Sequence, residues 1–315
     1  MSEALVNRPR NSGFAAKIPQ GSVMLPLDII VPVHGRLDLT MKCVKAIYDR
    51  TTAPFHLIVL DDTVDDGTDP EAMSPEYFRR LKIQHNNVTY IHNDKPYKEG
   101  NEFFNEGLKH CKHEFVAVIM NSVTVEPEWE IVAINFMQSN PKVGIIGFKT
   151  LIPSGVIESA GITMMGFTPI DIGRDSPGYQ LNSMHECIAV QWAFALLRKQ
   201  AVVGNLEEGV FHGFVGWDDI DNSFYVRSKG WQIWYCGLGV GIHEPRSTRG
   251  KDTVEAMHLN RDNAEKFYKR WGYWDLYQRA NRADTMHIKS KVAEEVQGLA
   301  FSLRRNKREL DKVLV

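Results

Sequence analysis

The chain has 315 residues, 43% hydrophobic and 24% charged, with 37 Lys and Arg against 39 Asp and Glu and a formal net charge of −2. That length holds one large α/β domain with an appendage and a substantial core, and the near-neutral balance excludes the basic excess of a nucleic-acid binder, so no nucleic acid is expected as a partner. No run reaches the about 18 apolar residues of a membrane helix, residues 1–13 show no apolar signal region, and Cys43, Cys111, Cys187 and Cys236 are scattered without a CxxC, as expected of buried, reduced thiols in a cytoplasmic protein.

Residues 1–25 are polar, with Gly, Pro and Ser, and read as a loose arm. Residues 27–33 (LDIIVPV) are a short β-branched run feeding His34-Gly35, which predicts a buried strand and a loop. Helical spacing of apolar residues follows over 39–48, then a second strand over 55–60 that ends in Asp61-Asp62. A polar loop covers 63–70, a third strand 87–92, a helix 101–112 and a fourth strand 114–120. Strands alternating with helices predict a Rossmann-like, mostly parallel, doubly wound sheet with flanking helices. Ligands of such sheets sit beyond the C-terminal strand ends, where this chain carries His34, Asp61, Asp62 and Asn121. A dinucleotide-binding oxidoreductase would want GxGxxG after the first strand, but PVHGRLDLT has one glycine.

Residues 143–148 and 156–163 read as extended, with a turn at Pro153-Ser154-Gly155 and a polar Gly/Pro loop over 173–178. Residues 189–198 predict another apolar strand. Past Gly250 the segment 255–277 is aromatic, charged and helical in pattern, with Trp271 and Trp274 available to pack. From His287 to Val315, seven Lys and Arg face four Asp and Glu. This basic stretch reads either as a solvated helix face or as a surface for an anionic membrane or a second copy of the chain.

Residues 213–243 concentrate the chemistry. Asp218, Asp219 and Asp221 follow a Gly-rich loop and open a predicted helix. Helical spacing groups Asp218 with Asp221 and turns Asp219 away. Carboxylates at a helix start serve equally as caps stabilised by the helix dipole, so the cluster alone leaves both readings open. Trp217 can stack on a sugar or pack in the core. Arg227, two turns on, can pair with the acids or lie on a solvated face.

The ordered set LDIIVPVHG, IVLDDTVDDGT, NEGLKHCKHEFVAVIMNS, IPSGVIESAG, WDDIDNSFYVRSKGW and GIH resembles the family-two-type, inverting nucleotide-sugar glycosyltransferases of the glycosyltransferase A fold, from Leu27 to Gly250. The resemblance implies a catalytic domain over 26–250 with a helical extension over 251–315. It implies a nucleotide-diphosphate sugar as donor, a glycan, lipid or protein as acceptor, and transfer of the hexosyl type. It places Pro32, Val33 and His34 against the nucleotide base, Asp61 and Asp62 on base and ribose, and Asn105 and Lys98 near the base. Asp61 and Asp62 also fit a capping pair in an Asp-rich turn. Gly155, Glu158 and Gly161 match a segment near the donor sugar.

The family's metal region reads N-D-x-x-V-x-P-x-W. Aligned on Val125, Pro127 and Trp129, this chain puts Asn121 on the asparagine and Ser122 on the metal-binding aspartate. Mn2+ or Mg2+ needs oxygen ligands, so the departure leaves three alternatives. The first is a weakened site of His243 with Asn121, Ser122 or the displaced Glu126; the second is a clamp by Arg246 or Arg249, since arginine is planar, bidentate and always charged; the third is a nucleotide-sugar-binding protein that does not transfer. The family's base lies in an acidic pair that falls here on Asp218 and Asp219, with Asp219 as base and Asp221 completing the spacing on the acceptor side with Trp217.

Overall fold

The computed structural model describes residues 24–63, 74–165, 168–214, 216–245 and 253–272. The expected arm, apart from Met24 and Leu25, lies outside the described residues, as do Arg246, Arg249, Trp274 and the basic stretch 287–315. In chain order the elements are β1 (Leu27–Val33), α1 (Leu37–Arg50), β2 (Phe55–Asp61), α2 (Ser74–Gln84), β3 (Val88–His92), α3 (Gly100–His110), β4 (Phe115–Ile119) and β5 (Val123–Val125). There follow α4 (Ile131–Ser139), β6 (Val143–Leu151), β7 (Ile157–Ser159), β8 (Ile162–Met165), β9 (Thr168–Asp171) and β10 (Met184–Glu186). The last are β11 (Phe194–Arg198), α5 (Lys199–Val202), α6 (Asp218–Ser228), β12 (Gln232–His243) and α7 (Val254–Arg270).

The main sheet runs β10-β12-β6-β11-β4-β1-β2-β3, with β5 on β12 and β7 on β6. β3, β2, β1 and β4 are mutually parallel, and β6 is parallel to β12. β11 runs against both β4 and β6, and β10 against β12. The sheet is therefore mixed, parallel across β3-β2-β1-β4 and between β6 and β12, with helices on both faces, as expected of the glycosyltransferase A fold.

Side-chain alternation explains why the central strands sit where they do. Ile29, Val31 and Val33 of β1, Leu57 and Val59 of β2, and Phe115, Ala117 and Ile119 of β4 enter one core with Cys43, Val44 and Ile47 of α1. The intervening Ile30, Ile58, Leu60, Val116 and Val118 enter the opposite core with Phe103, Phe104 and Leu108 of α3. Strands buried on both faces need apolar residues at every position. A third cluster joins Trp217, Ile220 and Phe224 to Ala264, Phe267, Tyr268 and Trp271 of the α7 region. The four cysteines are buried and unpaired. Among the described residues no helix is long and apolar enough to cross a membrane.

Strand order reverses between β1 and β4, because β1 has β2 on one side and β4 on the other. Crevices for ligands open at such switch points, outside the carboxyl ends of the strands. Asn121 lies at this point, its amide donating to Gly35 O at 3.1 Å and to Thr40 Oγ1 at 2.9 Å, which ties the end of β4 to the start of α1.

Candidate active site

A cleft of about 880 Å3 opens between the β4–β5 end of the sheet, the β8–β9 hairpin and the start of α6. Asp218, Asp219 and Trp217 line it, together with Glu158, His243, Asp171, Arg174 and Gln191. Phe103, Phe104, Trp192 and Phe214 supply an aromatic wall.

The acids are positioned by an unusual backbone. Gly213, Phe214, Gly216 and Trp217 all have positive φ, at 79, 50, 99 and 83°. Two of them are aromatic, and a non-glycine residue there costs on the order of 1–3 kcal/mol, a strain that clusters at working sites. The turn is held by packing: Trp217 is buried against Phe267 at 5.2 Å and Tyr268 at 5.5 Å. Asp218 and Asp219 then open α6, where backbone N–H groups and the helix dipole favour carboxylates.

Burial pushes the Asp219 carboxyl well above its ordinary range, and the charges of Asp218 and Asp171 push it further. Burial also raises Asp218. Asp219 Oδ1 accepts from Ile220 N at 2.8 Å. On the facing wall Asp171 accepts from Gln191 Nε2 at 2.8 Å and pairs with Arg174. His243 Nδ1 meets buried Glu158 Oε2 at 2.6 Å. Burial raises the Glu158 carboxyl, but the hydrogen bond and charge of His243, with Arg174 nearby, hold it below its usual value.

The grouping expected from helical spacing is corrected here. Asp218 and Asp219 share the cleft, whereas Asp221 turns into the protein. Its Oδ1 accepts from Trp271 Nε1 at 2.7 Å and faces Arg270 Nε at 3.2 Å. Asp221 is thus a brace between α6 and α7 and does not line the cleft. Arg227 is fully buried, donating to Glu186 Oε1 at 3.2 Å and Cys187 O at 3.1 Å, so it anchors α6 to the β10 region and is no solvated arginine.

The sequence model of the family described as Glycosyl transferase family 2 matches residues 28–201, more than half of the chain. The chain belongs to glycosyl transferase family 2. A curated relative, the Uncharacterized protein y4gI of Sinorhizobium fredii (strain NBRC 101917 / NGR234), is 27% identical over 264 residues, 79% of this chain and 28% of that protein. The chain therefore spans little more than a quarter of that relative. Among solved structures, GalNAc-T7 with UDP, GalNAc and Mn2+ superposes with a TM-score of 0.61 at 12% identity, over 86% of this chain and 55% of that one. S. aureus TarS 1–349 gives 0.49 at 11% identity, over 92% and 90%. The first likeness shows the glycosyltransferase A fold.

The residues that the resemblance assigns to the nucleotide do not line this cleft. Pro32 and Val33 are inside β1, paired with Leu60 and Asp61, and Val33 O accepts from Asp62 N at 3.0 Å, so that backbone is committed to the sheet. Asp61 is fully buried, with Tyr90 Oη donating to it at 2.8 Å and Thr63 N at 3.0 Å. Asp62 holds His34 Nδ1 and Tyr97 N, both at 2.8 Å. The His34 side chain, 62% exposed, is the group this strand end presents to solvent. Asn105 is also outside the cleft lining, its amide donating to Leu206 O at 2.9 Å and Glu208 Oε1 at 2.8 Å, which ties α3 to the loop between α5 and α6. Lys98 is exposed, and its backbone N–H donates to Glu102 at 2.6 Å.

Among the described residues no three His, Cys, Asp or Glu side chains come together to hold a divalent ion. The Asn121 amide nitrogen donates to Gly35 O and Thr40 Oγ1, Glu126 lies 3.9 Å from Arg50, and Ser122 carries no charge. His243 and Glu158 meet, and Ser122 O accepts from Glu244 N at 3.0 Å beside them.

Asp171, Arg174, Gln191, Trp192, Phe103 and Phe214 are the cleft residues that the sequence reading passed over. Arg174 lies in the polar Gly/Pro loop that was visible, but nothing local shows that the loop folds across the strand ends.

Proposed function

We propose that this family 2 glycosyltransferase moves a sugar from a nucleoside-diphosphate donor to an acceptor hydroxyl with inversion, in the cleft between Glu158–His243 and Asp218–Asp219. The observation that carries the reading is Asp219: a carboxylate in an open cleft, raised by burial and by neighbouring Asp218 and Asp171. A base with a raised pKa accepts a proton near neutrality more readily, and such catalysis contributes on the order of 10²–10⁴-fold. The acceptor oxygen bonds to the anomeric carbon as its proton passes to Asp219. The bond to the diphosphate breaks on the opposite face, and its electron pair leaves with the nucleoside diphosphate. Asp218 keeps Asp219 basic by charge repulsion, while Asp221 holds α6 from behind.

The nucleotide is assigned to the β1–β2 strand ends beside His34 and Asp62, and the catalytic unit to residues 26–250 with 251–315 as its extension. No step passes through a metal. The diphosphate is neutralised by side chains of the chain itself, with Arg174 the one Lys or Arg among the described cleft residues; Arg246 and Arg249 lie in the segment outside the description. The test is thermal shift of the protein with UDP, GDP, dTDP and their glucose or mannose esters, with Mn2+ and with EDTA. Stabilisation by one nucleotide series, retained in EDTA, is expected. No shift with any of them contradicts the reading. Binding with no turnover would instead identify a nucleotide-sugar-binding protein, the reading favoured by Ser122 in the place of the family's aspartate.

A further inference from the structure

The aromatic wall of the cleft has one exposed member. Phe103, Phe104 and Trp192 are 5%, 2% and 2% exposed, whereas Phe214 is 43% exposed and still lines the cleft. Its backbone has a φ of 50°, in a turn where Gly213, Gly216 and Trp217 also have positive φ. An aromatic residue in that region is strained. Trp217 offsets its strain by burial against Phe267 and Tyr268, while Phe214 keeps much of its ring in water. Apolar surface exposed within a cleft and continuous with its aromatic wall marks a place that a ligand covers.

Helix α3 sets where this ring stands relative to the acids. The Phe214 ring lies nearly parallel to that of Phe103, with 13° between the planes and 6.0 Å between centroids. The Asp218 carboxylate lies against Gly100, where an added Cβ would meet Asp218 Oδ2. Gly100 and Phe103 are three residues apart on α3, so they are neighbours on one face, roughly 5–6 Å apart. The exposed ring and the acid pair therefore stand side by side along one helix, about the span of a single sugar ring. A flat apolar surface beside carboxylates suits a pyranose: the C–H groups of one sugar face cover the aromatic ring, and hydroxyls at its edge donate to Asp218 and Asp219. An acyl chain would cover the ring but leave the carboxylates without donors.

We propose that Phe214 is the platform on which a pyranose acceptor stacks, with one of its hydroxyls turned to Asp219. This assignment rests on the transferase reading. Initial rates are measured with the nucleotide sugar that stabilises the protein most, over the methyl pyranosides of glucose, galactose, mannose and N-acetylglucosamine, the open-chain alditols of the same sugars, n-octanol and a Ser/Thr peptide. Wild type should use a pyranoside in preference to every other class. For the best pyranoside, Phe214→Ala should raise the acceptor KM about tenfold or more, with donor Kd within about twofold and kcat at saturating acceptor within about threefold. Phe214→Tyr, which keeps the flat face, should stay within about threefold of the wild-type KM, whereas Phe214→Leu, apolar but not flat, should remain near Phe214→Ala. If Phe214→Ala does not fold, the contrast between Phe214→Tyr and Phe214→Leu carries the test. An unchanged acceptor KM in Phe214→Ala, full recovery by Phe214→Leu, or an alditol, n-octanol or the peptide used as well as the pyranosides overturns the assignment. Where no acceptor is turned over, pyranoside contact is read at saturating nucleotide by saturation-transfer NMR from aromatic protons to ring C–H protons; it should be present in wild type and lost in Phe214→Leu, and no contact in wild type overturns the assignment. If wild type binds nucleotide but fails these acceptor arms, the transferase reading stands and this assignment falls; if it binds no nucleotide at all, both fall.

Discussion

On the proposed mechanism Asp219 is the side chain on which the chemistry depends, and its surroundings fix how activity should vary with pH. The base works ionised, and burial, Asp218 and Asp171 all raise its pKa. kcat/KM should therefore rise with pH along a limb centred clearly above the ordinary carboxylate value of about 4. Asp218→Asn removes one of those charges, so the limb should move to lower pH while the plateau persists in reduced form; a limb that stays in place would show that Asp218 does not act on Asp219 through charge. Both acids could be read from the sequence, because their spacing survives as a local motif. Asp221, Asn105 and Asn121 could not be assigned that way, since their partners Trp271, Leu206 and Gly35 come from elsewhere in the chain. Trp192, Asp171 and Arg174 had no local signature either, because a cleft residue is made by the packing of separate elements.

At the scale of elements, α6 is set by a strained turn in front, α3 at its side and α7 behind. A Cβ on Gly100, the first residue of α3, would collide with the Asp218 carboxylate. Alanine suits a helix better than glycine, so Gly100→Ala should leave the melting transition within about 1 kcal/mol of wild type and lower transfer at least about tenfold by displacing Asp218. A normal rate would contradict that placement. Behind α6, burial raises Asp221 from 3.8 to about 6, against the lowering effect of Arg270 and Trp271. The folded protein keeps this proton to about pH 6 while the unfolded chain releases it near 3.8, so the stabilising contribution is full below 3.8 and lost as pH rises to about 6. At 1.36 kcal/mol per pH unit, wild type should lose about 2.4 kcal/mol relative to Asp221→Asn between pH 4 and pH 7, read from denaturant unfolding. A difference constant with pH would contradict it. The central strands and α1, α3, β12 and α7 were legible because apolar periodicity is local. The three-residue strands β5 and β10 were not, because pairing with distant strands alone defines them. The helices α2 and α4 were missed too: α2 carries few apolar residues, and α4 has no polar face to mark its period.

For the molecule as a whole, a mixed sheet brings the ends of β4 and β12 together with the β8–β9 hairpin and the start of α6, and this juxtaposition makes one cleft from segments more than 100 residues apart. A nucleotide sugar that binds there binds the folded state alone, so at 100 times its Kd it should add about 2.7 kcal/mol of stability. The fold class followed from the order of strands and helices; which donor and acceptor the cleft takes did not, because aromatic and acidic walls are assembled only in three dimensions. The most direct measurement is turnover of the donor that stabilises the protein most, in single-turnover reactions with a saccharide acceptor panel, by wild type and Asp219→Asn at equal donor occupancy. The account predicts sugar transfer by wild type and a loss on the order of 10²–10⁴-fold in Asp219→Asn with donor affinity kept. Equal rates in the two proteins would contradict it.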